Sequence, residues 1–422
     1  MRFLGSRDIG LFNMTIGSAK RLAFPAVGVI ACVFLGFVLG ELFLRSVGYS
    51  FPPLYMYDMH VGARHRPDAR GWFRKEAEVL VAINGQGLRV PADRPNLVIP
   101  FEKPTDVLRF SVFGDSFTEG LQVAVRERFT HVLEEELNRC DARPRPRIEV
   151  INFGVSGMGQ AREMALYESF GRQFNPDIVL VAVAENDFGN NLRELTPDPF
   201  SPHWTLDETG AFAWDRRFQS DPVFLRKLRW SNLRGEITSY SRVLQLLTEV
   251  YVKQVVEAGA TQPWKDDSTN REHPPLVVAP PSSAILERAW DLFAAGMRAW
   301  SRAVQAEGRA FMVTSIPMHH VMRKEAWERY TASFGARGAD LVPDHVDSMI
   351  SNLARDAGFL YFPVIGPMRE QGFANDLDFY YHAYSGINWG HLNAVGHRFL
   401  GKELARQICG YWQILGESGR TQ

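Results

Sequence analysis

The feature that most constrains the fold is an alternation of short apolar runs and helical patterns that begins at Val107. The runs have the length of strands, and the stretches between them carry apolar residues at every third or fourth position. The predicted strands are Val107–Phe113, Ile148–Phe153, Ile178–Ala184, Ala310–Ile316 and Phe359–Ile365. Runs that are apolar throughout are typical of strands buried on both faces. The alternation therefore predicts an α/β fold, a three-layer α/β/α sandwich around a central parallel sheet.

The helices and one long interruption complete this pattern. Helices are predicted at Phe129–Leu137, at Met164–Phe170, at Ala284–Ala306 and from Asn393 onward. The interval from about residue 190 to residue 283 breaks the alternation and holds Trp204, Trp214, Trp230 and one helical piece, Ser239–Val256. We predict an insertion between the third and fourth strands, since loops of this length often form lids or substrate walls. Its tryptophans are either plain core or a surface that stacks on sugar rings.

The amino-terminal region contains a second constraint. No charged residue occurs from Leu22 to Gly40, which is long enough to cross a bilayer. Arg2, Arg7, Lys20 and Arg21 precede the run and only Arg45 follows closely, so residues 1–21 are predicted to be cytoplasmic and the body to lie outside. A cleaved signal and a buried core helix are the alternatives, but Val38-Leu39-Gly40 is a marginal cleavage site.

The predicted domain organisation follows from these patterns. Residues 22–45 form a transmembrane signal anchor, and residues 46–104 a mostly irregular connector packed on the domain, with a turn at Asn84-Gly85-Gln86-Gly87. The α/β domain covers residues 105–412, and residues 413–422 are a tail.

Composition excludes several classes of protein. The formal charge is −1 and acids and bases are mixed along the chain, so nucleic acid is not an expected partner. The three cysteines, Cys32, Cys140 and Cys409, are too few for a disulfide framework or a cysteine-rich metal site. One Cys140–Cys409 bridge would require an oxidising compartment, and two isolated thiols are more often small buried hydrophobes, which is the expectation here.

Four sequence blocks carry polar groups suited to catalysis. The first, Gly114-Asp115-Ser116, follows a predicted strand, at the sheet edge where such folds bind ligands. The other three are Asn152-Phe153-Gly154-Val155-Ser156-Gly157, Ala184-Glu185-Asn186-Asp187, and Asn388-Trp389-Gly390-His391 continuing to His397. Each block alone could be an ordinary turn or helix cap. Together they offer a hydroxyl, an imidazole that titrates near neutral pH, and hydrogen-bond donors for a developing oxyanion.

The order of these blocks resembles the SGNH (GDSL-like) hydrolase family, in its membrane-anchored bacterial envelope form. The resemblance covers about residues 105 to 410 and implies a flavodoxin-like arrangement of the sheet. It implies that Ser116 is the nucleophile and that His391 is its base. It further implies an oxyanion hole formed by the main-chain N–H of Ser116, the glycine N–H of Gly157 and the amide of Asn186.

One position departs from the family pattern. The family has an aspartate three residues before its histidine, and this chain has Asn388. Asn388 could orient the imidazole as a weaker, neutral partner, because an amide stabilises imidazolium less than a carboxylate does. The alternatives are a Ser-His dyad, a substitute carboxylate such as Asp376 or Asp378, or a site with little activity.

The expected function is a serine-dependent carboxylic ester hydrolase in the periplasm or cell exterior, which removes O-acyl groups, acetyl in particular, from a glycan through an acyl-enzyme. Alternatives are an O-acyltransferase of polysaccharide biosynthesis, a lipid esterase, and a non-catalytic glycan-binding scaffold on a degenerate hydrolase fold. No cofactor is expected. His397 is expected to be structural, and His319 and His320 lack the further ligands that a metal site needs. Expected partners are an acylated glycan or small ester and, through the anchor, the membrane.

Overall fold

The computed structural model describes residues 12–74, 76–196, 198–209, 211–257, 274–375, 378–380 and 390–418. The strands are β1 (Tyr55–Asp58), β2 (Gly62–His65), β3 (Arg70–Phe73), β4 (Val79–Ile83), β5 (Arg89–Val90), β6 (Val107–Gly114), β7 (Arg147–Asn152), β8 (Ile178–Val183), β9 (His203–Leu206), β10 (Phe212–Asp215), β11 (Ala310–Ser315) and β12 (Leu360–Phe362). The helices are α1 (Phe12–Ser46), α2 (Ser116–Glu119), α3 (Phe129–Asn138), α4 (Gln160–Ser169), α5 (Asp187–Asn190), α6 (Pro222–Tyr240), α7 (Arg242–Tyr251), α8 (Ala284–Ala306), α9 (Lys324–Ala332), α10 (His345–Ala357), α11 (Ile365–Asn375) and α12 (Ala394–Ser418).

Five strands form the central sheet, in the order β12-β11-β8-β6-β7, and every pair is parallel. This is the flavodoxin-like doubly wound order, with the second strand in sequence on one side of the first and the third, fourth and fifth on the other. Every residue of β8 is buried, as expected for a strand covered on both faces. The predicted fold class is confirmed, and the crevice where such sheets bind ligands lies between the carboxyl ends of β6 and β8.

Helices cover both faces of the sheet. On one face α3 packs against α12, and on the other α4 and α10 pack against α8. The buried stripe of α8 repeats every three or four residues and includes Leu292, Phe293, Met297, Trp300 and Val304. The fully buried Trp300 ring lies 5.7 Å from the Phe113 ring and 5.5 Å from the Phe311 ring, measured between centroids. The carboxyl edge of the sheet is therefore supported by a packed core.

The segment between the apolar helix and the sheet contains more regular structure than predicted. β1 and β2 form an antiparallel hairpin, and β3, β4 and β5 form a small antiparallel sheet. Strands of two to five residues are too short to produce a clear alternation in sequence, so these strands were not predicted, although most described residues of the segment lie outside them. The predicted turn is present, with Gly87 N donating to Asn84 O at 2.9 Å and Gly87 at φ +81°.

In its described part, the interval from 190 to 283 forms a β9–β10 hairpin followed by α6 and α7. The expected helix at Ser239–Val256 corresponds to α7 and a π-helical turn, Val252–Glu257, whereas α6 was not predicted. Two of its tryptophans differ in environment. Trp204 is buried against α8, where a Cβ on Gly296 would lie 2.1 Å from its ring, whereas Trp230 is exposed. Trp204 is therefore part of the core.

One segment of the described chain is long and apolar enough to cross a membrane. It is Val27–Ser46, with a mean hydropathy of 2.5 and no part of it buried in the domain. The last helix, α12, runs to Ser418, past the predicted domain end at residue 412.

Cys140 and Cys409 form a disulfide with a Cα–Cα distance of 6.0 Å, which joins the end of α3 to α12. The expectation of two separate thiols was wrong, because sequence spacing carries no information about the approach of elements 269 residues apart. Cys32 is free and exposed.

The bridge gives a prediction about stability. Cys140→Ser with Cys409→Ser is expected to lower the free energy of unfolding by about 2–5 kcal/mol, because the unfolded chain regains the freedom that the crosslink removes. Thermal unfolding of the full chain in detergent measures this effect, with Cys32→Ser as the matched control that leaves the midpoint unchanged. An unchanged midpoint in the double variant would contradict the prediction.

Candidate active site

Ser116 lies where the sheet exposes its carboxyl edge. β6 ends at Gly114 and Ser116 opens α2, whose N-cap is the buried Asp115; Phe117 N donates to Asp115 Oδ1 at 2.9 Å. The approach is so close that a Cβ on Gly114 would lie 2.1 Å from Thr118 Oγ1, and one on Gly154 would lie 2.4 Å from Glu119 N. Glycine is therefore required at both positions for the serine to be presented at this edge.

His391 reaches Ser116 from the loop before α12. The distance from His391 Nε2 to Ser116 Oγ is 2.8 Å. Asn393 anchors this loop, since its Nδ2 donates to Asp378 O at 2.8 Å and its Oδ1 accepts from Gly396 N at 2.9 Å. The Phe117 ring packs 4.9 Å from the imidazole. The first and fourth sequence blocks, 275 residues apart at these two side chains, therefore meet at one point.

The other ring nitrogen of His391 contacts a carboxylate that sequence analysis did not identify. His391 Nδ1 lies 3.0 Å from Glu76 Oε1 and 2.9 Å from Glu76 Oε2. Glu76 lies in the loop between β3 and β4, within the segment regarded as a connector. With the Nδ1 proton directed to Glu76, the Nε2 lone pair is available to the Ser116 hydroxyl. The three residues have the linear arrangement of a Ser-His-carboxylate triad.

The electrostatics of this pair match that arrangement. Burial disfavours the imidazolium, but the hydrogen bond and charge of Glu76 outweigh burial and raise the pKa of His391. Burial also favours neutral Glu76, yet the His391 ring, its main-chain N–H and the Gln122 side chain hold the pKa of that carboxyl below its ordinary value. Glu76 is therefore ionised near neutral pH and stabilises positive charge on His391.

The expected oxyanion donors lie on the loops beside Ser116. Gly157 adopts φ +72°, and a Cβ there would meet nothing within 4 Å, so the space at its backbone is open. Asn186 is partly exposed at the end of β8, and its side chain donates to the Asp115 carboxylate. A primary amide has two N–H donors, so the second is available to a ligand. Ser116 is the first residue of α2, and its N–H is not used inside the helix.

A buried carboxylate connects these loops to the preceding segment. Glu119, at the end of α2, accepts hydrogen bonds from Ser156 N at 2.8 Å and Tyr55 OH at 2.8 Å and contacts His65 Nε2 at 2.6 Å. Ser156 precedes Gly157, whereas Tyr55 and His65 lie on β1 and β2. The hairpin therefore helps to fix the loop that carries Gly157.

The sequence offered Asn388, Asp376 and Asp378 as partners for the His391 ring. Asn388 and Asp376 lie outside the described residues. The Asp378 carboxylate accepts from Tyr380 N at 3.2 Å and lies 3.6 Å from Arg323 Nη1, so among the described carboxylates the hydrogen bond to the His391 ring belongs to Glu76. No sequence signal distinguished Glu76, because it lies in a stretch without periodicity and 315 residues from His391.

The other histidines considered in the sequence, His397, His319 and His320, pack against aromatic rings. His397 is fully buried and stacked on Phe129, and burial lowers its pKa to about 3, so it is neutral and structural. His319 and His320 pack against Tyr380 and Tyr330. Within the described ranges, no group of three or more His, Cys, Asp or Glu side chains is arranged to hold a metal ion.

No protein-family model and no curated protein matches the chain. Among solved structures, an acetyl xylan esterase, AlAXEase, is 12% identical with a TM-score of 0.36 and covers 71% of this chain and 100% of its own. An acetylxylan esterase from Geobacillus stearothermophilus is 11% identical with a TM-score of 0.35, covering 71% and 94%. A protein described as lipolytic and of the G-D-S-L family, from Desulfitobacterium hafniense, is 10% identical with a TM-score of 0.31, covering 71% and 98%. Similarity at this level does not establish activity, and the assignment of function rests on the contacts of Ser116.

Proposed function

We propose that the chain is a serine-dependent carboxylic ester hydrolase that acts outside the cytoplasmic membrane on an O-acylated glycan. The observation that carries the proposal is the contact of Ser116 Oγ with His391 Nε2 at 2.8 Å, with Glu76 on the far side of the ring. A serine hydroxyl is a weak nucleophile until a base removes its proton, and this arrangement supplies that base.

The proposed reaction has two stages. Ser116 Oγ attacks the acyl carbonyl as its proton passes to His391 Nε2, and the negative charge on the carbonyl oxygen is stabilised by the N–H groups of Ser116, Gly157 and Asn186. His391 then returns the proton to the departing sugar oxygen, which leaves the acyl group on Ser116. Water, deprotonated by His391, attacks this ester and restores the serine. The charge of Glu76 stabilises the imidazolium that forms in each stage.

The proposed location is supported by two independent features. The unburied apolar span Val27–Ser46 is suited to a single-pass anchor, and the positive residues before it favour a cytoplasmic amino terminus. The Cys140–Cys409 bridge is typical of an oxidising compartment such as the periplasm. The glycan substrate follows from the resemblance to envelope members of the SGNH family.

The proposal is tested with the purified full chain on 4-nitrophenyl esters of increasing acyl length and on an O-acetylated glycan. We expect the wild type to release acetate from both, and Ser116→Ala to be inactive. Preference for long acyl chains would support a lipid esterase, and transfer to an added glycan in competition with water would support an acyltransferase. Equal rates for the wild type and Ser116→Ala would contradict every function in which Ser116 is the nucleophile.

The raised pKa of His391 gives a prediction about pH. His391 must be neutral to accept the serine proton, so kcat/KM is expected to fall as pH decreases through its pKa, which lies above the ordinary value near 6.5. Glu76→Gln removes the charge that raises this pKa and is expected to move the acid limb to lower pH. A pH profile of both proteins measures the shift, and coincident limbs would contradict it.

A further inference from the structure

The exposed face of α6 carries several large apolar side chains together with charged ones. Its exposed side chains repeat in a stripe, here called the α6 stripe: Val223, Trp230, Leu233, Ile237 and Tyr240, with exposed fractions of 41%, 58%, 46%, 54% and 75%. The spacing of three, four or seven residues places them on one side of the helix. The exposed Arg226 lies between Val223 and Trp230 at the same spacing, so the apolar side chains are continuous from Trp230 to Tyr240. An exposed apolar patch bordered by polar residues is typical of a protein–protein or membrane contact.

The opposite face of α6 packs on the protein through both apolar and polar side chains. Phe224 is fully buried, with its ring 4.9 Å from the Phe218 ring. Asn232 Oδ1 accepts from Tyr57 N at 2.8 Å, and Asn232 Nδ2 donates to Tyr57 O at 2.8 Å. Gly235 and Thr238 continue this face, and a Cβ on Gly235 would lie 2.2 Å from Arg66 Nη2. The exposed apolar residues of the α6 stripe are therefore additional to those that pack α6 on the domain.

The end of α6 is fixed to the end of the apolar span. Arg45 Nη2 donates to Tyr240 O at 2.8 Å, and Glu41 accepts from Arg242 N at 3.0 Å and from Val243 N at 3.1 Å. These contacts place the end of α1, with its exposed Leu42 and Phe43, near Tyr240, the last residue of the stripe. A membrane crossed by α1 therefore has its outer surface next to α6.

The composition of α6 also matches a lipid headgroup region. Tryptophan and tyrosine prefer this region because one part of each ring is apolar and another forms hydrogen bonds. α6 carries four basic residues and one acidic residue: Arg226, Lys227, Arg229, Arg234 and Glu236. Basic residues beside an apolar face are typical of helices that lie in the membrane interface, where they attract anionic lipid.

We propose that the α6 stripe lies in the outer interface of the membrane that α1 crosses, so that the domain rests on the bilayer instead of moving freely on a tether. The occupant is the phospholipid surface. The inference rests on the anchoring part of the proposed function and is independent of the chemistry at Ser116. It gives the insertion a role in holding the active site at a fixed height above the lipid.

The test uses the full chain reconstituted in vesicles of phosphatidylcholine and phosphatidylglycerol with brominated acyl chains, which quench tryptophan on contact. Residues 1–46 contain no tryptophan, so any quenching reports on the body of the protein. We expect quenching in the wild type and loss of a quenched component in Trp230→Phe. The matched control is Trp214→Phe in the same insertion, and it should keep the wild-type quenching, because the Trp214 ring is partly buried and packs 5.8 Å from the Phe212 ring. Equal quenching in Trp230→Phe and the wild type would overturn the proposal.

A second variant separates the lipid surface from a second copy of the chain. Leu233→Glu with Ile237→Glu is expected to lower the quenching of Trp230 while hydrolysis of a soluble ester is retained, because neither residue touches the active site. The proposal would be overturned if the wild type formed a dimer in detergent, if its Trp230 were not quenched by brominated lipid, and if the double variant were monomeric. The tryptophan fluorescence of Ser116→Ala should be quenched as in the wild type. Loss of esterase activity can therefore be distinguished from loss of membrane contact.

Discussion

Glu76→Gln is expected to lower kcat for ester hydrolysis roughly 10⁴-fold, the loss found when the carboxylate of a serine triad becomes an amide. Glutamine keeps the size of Glu76, but it carries no charge to stabilise imidazolium, and its amide N–H can hold the His391 ring in the wrong tautomer. KM should change little, since Glu76 contacts the imidazole and not the substrate. Steady-state kinetics on 4-nitrophenyl acetate measure the effect.

The chain offers a matched control for this substitution. Glu78 lies two residues away in the same loop, is exposed, and pairs with Arg74 at 3.1 Å. Glu78→Gln should retain wild-type kinetics because an exposed pair of this kind contributes little. A loss of less than tenfold in Glu76→Gln would mean that Ser116 and His391 work as a dyad, with Glu76 only a support for the loop.

Ser116→Ala and His391→Ala are each expected to lower kcat by roughly 10⁶-fold, and the double variant no further. Ser116 and His391 each depend on the other for the attack on the ester, so the two losses of kcat are not additive. The residual rate should reflect the oxyanion donors and substrate binding alone. Single-turnover kinetics on an activated ester are sensitive enough for this comparison, and multiplicative losses would show that the two residues act separately.

The parts of the fold that repeat a pattern could be predicted from the sequence. β8 is apolar throughout, and α8 carries an apolar stripe at helical spacing, so type and bounds both followed from periodicity. Ser116 and His391 could be proposed because each lies in a short block with a recognisable order along the chain. Their contact depends only on the sheet bringing loop ends to one edge, which the α/β pattern implies.

The third member of the site could not be predicted, for a physical reason. Glu76 is one of two acids in a polar loop, and its role arises only because β3 and β4 hold that loop over His391. The same holds for Cys140 and Cys409, whose approach depends on the packing of α3 on α12. α6 was missed because apolar residues lie both on its packed face, as Phe224 does, and on its exposed face, as Trp230 does, so it lacks the one-sided apolar pattern that predicts a surface helix.

The most direct test of the account is the labelling of the full chain with a fluorophosphonate, which reacts with an activated serine, followed by peptide mapping. The account predicts one adduct, on Ser116, formed fast in the wild type, slowly in Glu76→Gln, and absent in Ser116→Ala. An unlabelled Ser116 in a protein that still hydrolyses esters, or an adduct on another serine, would contradict it.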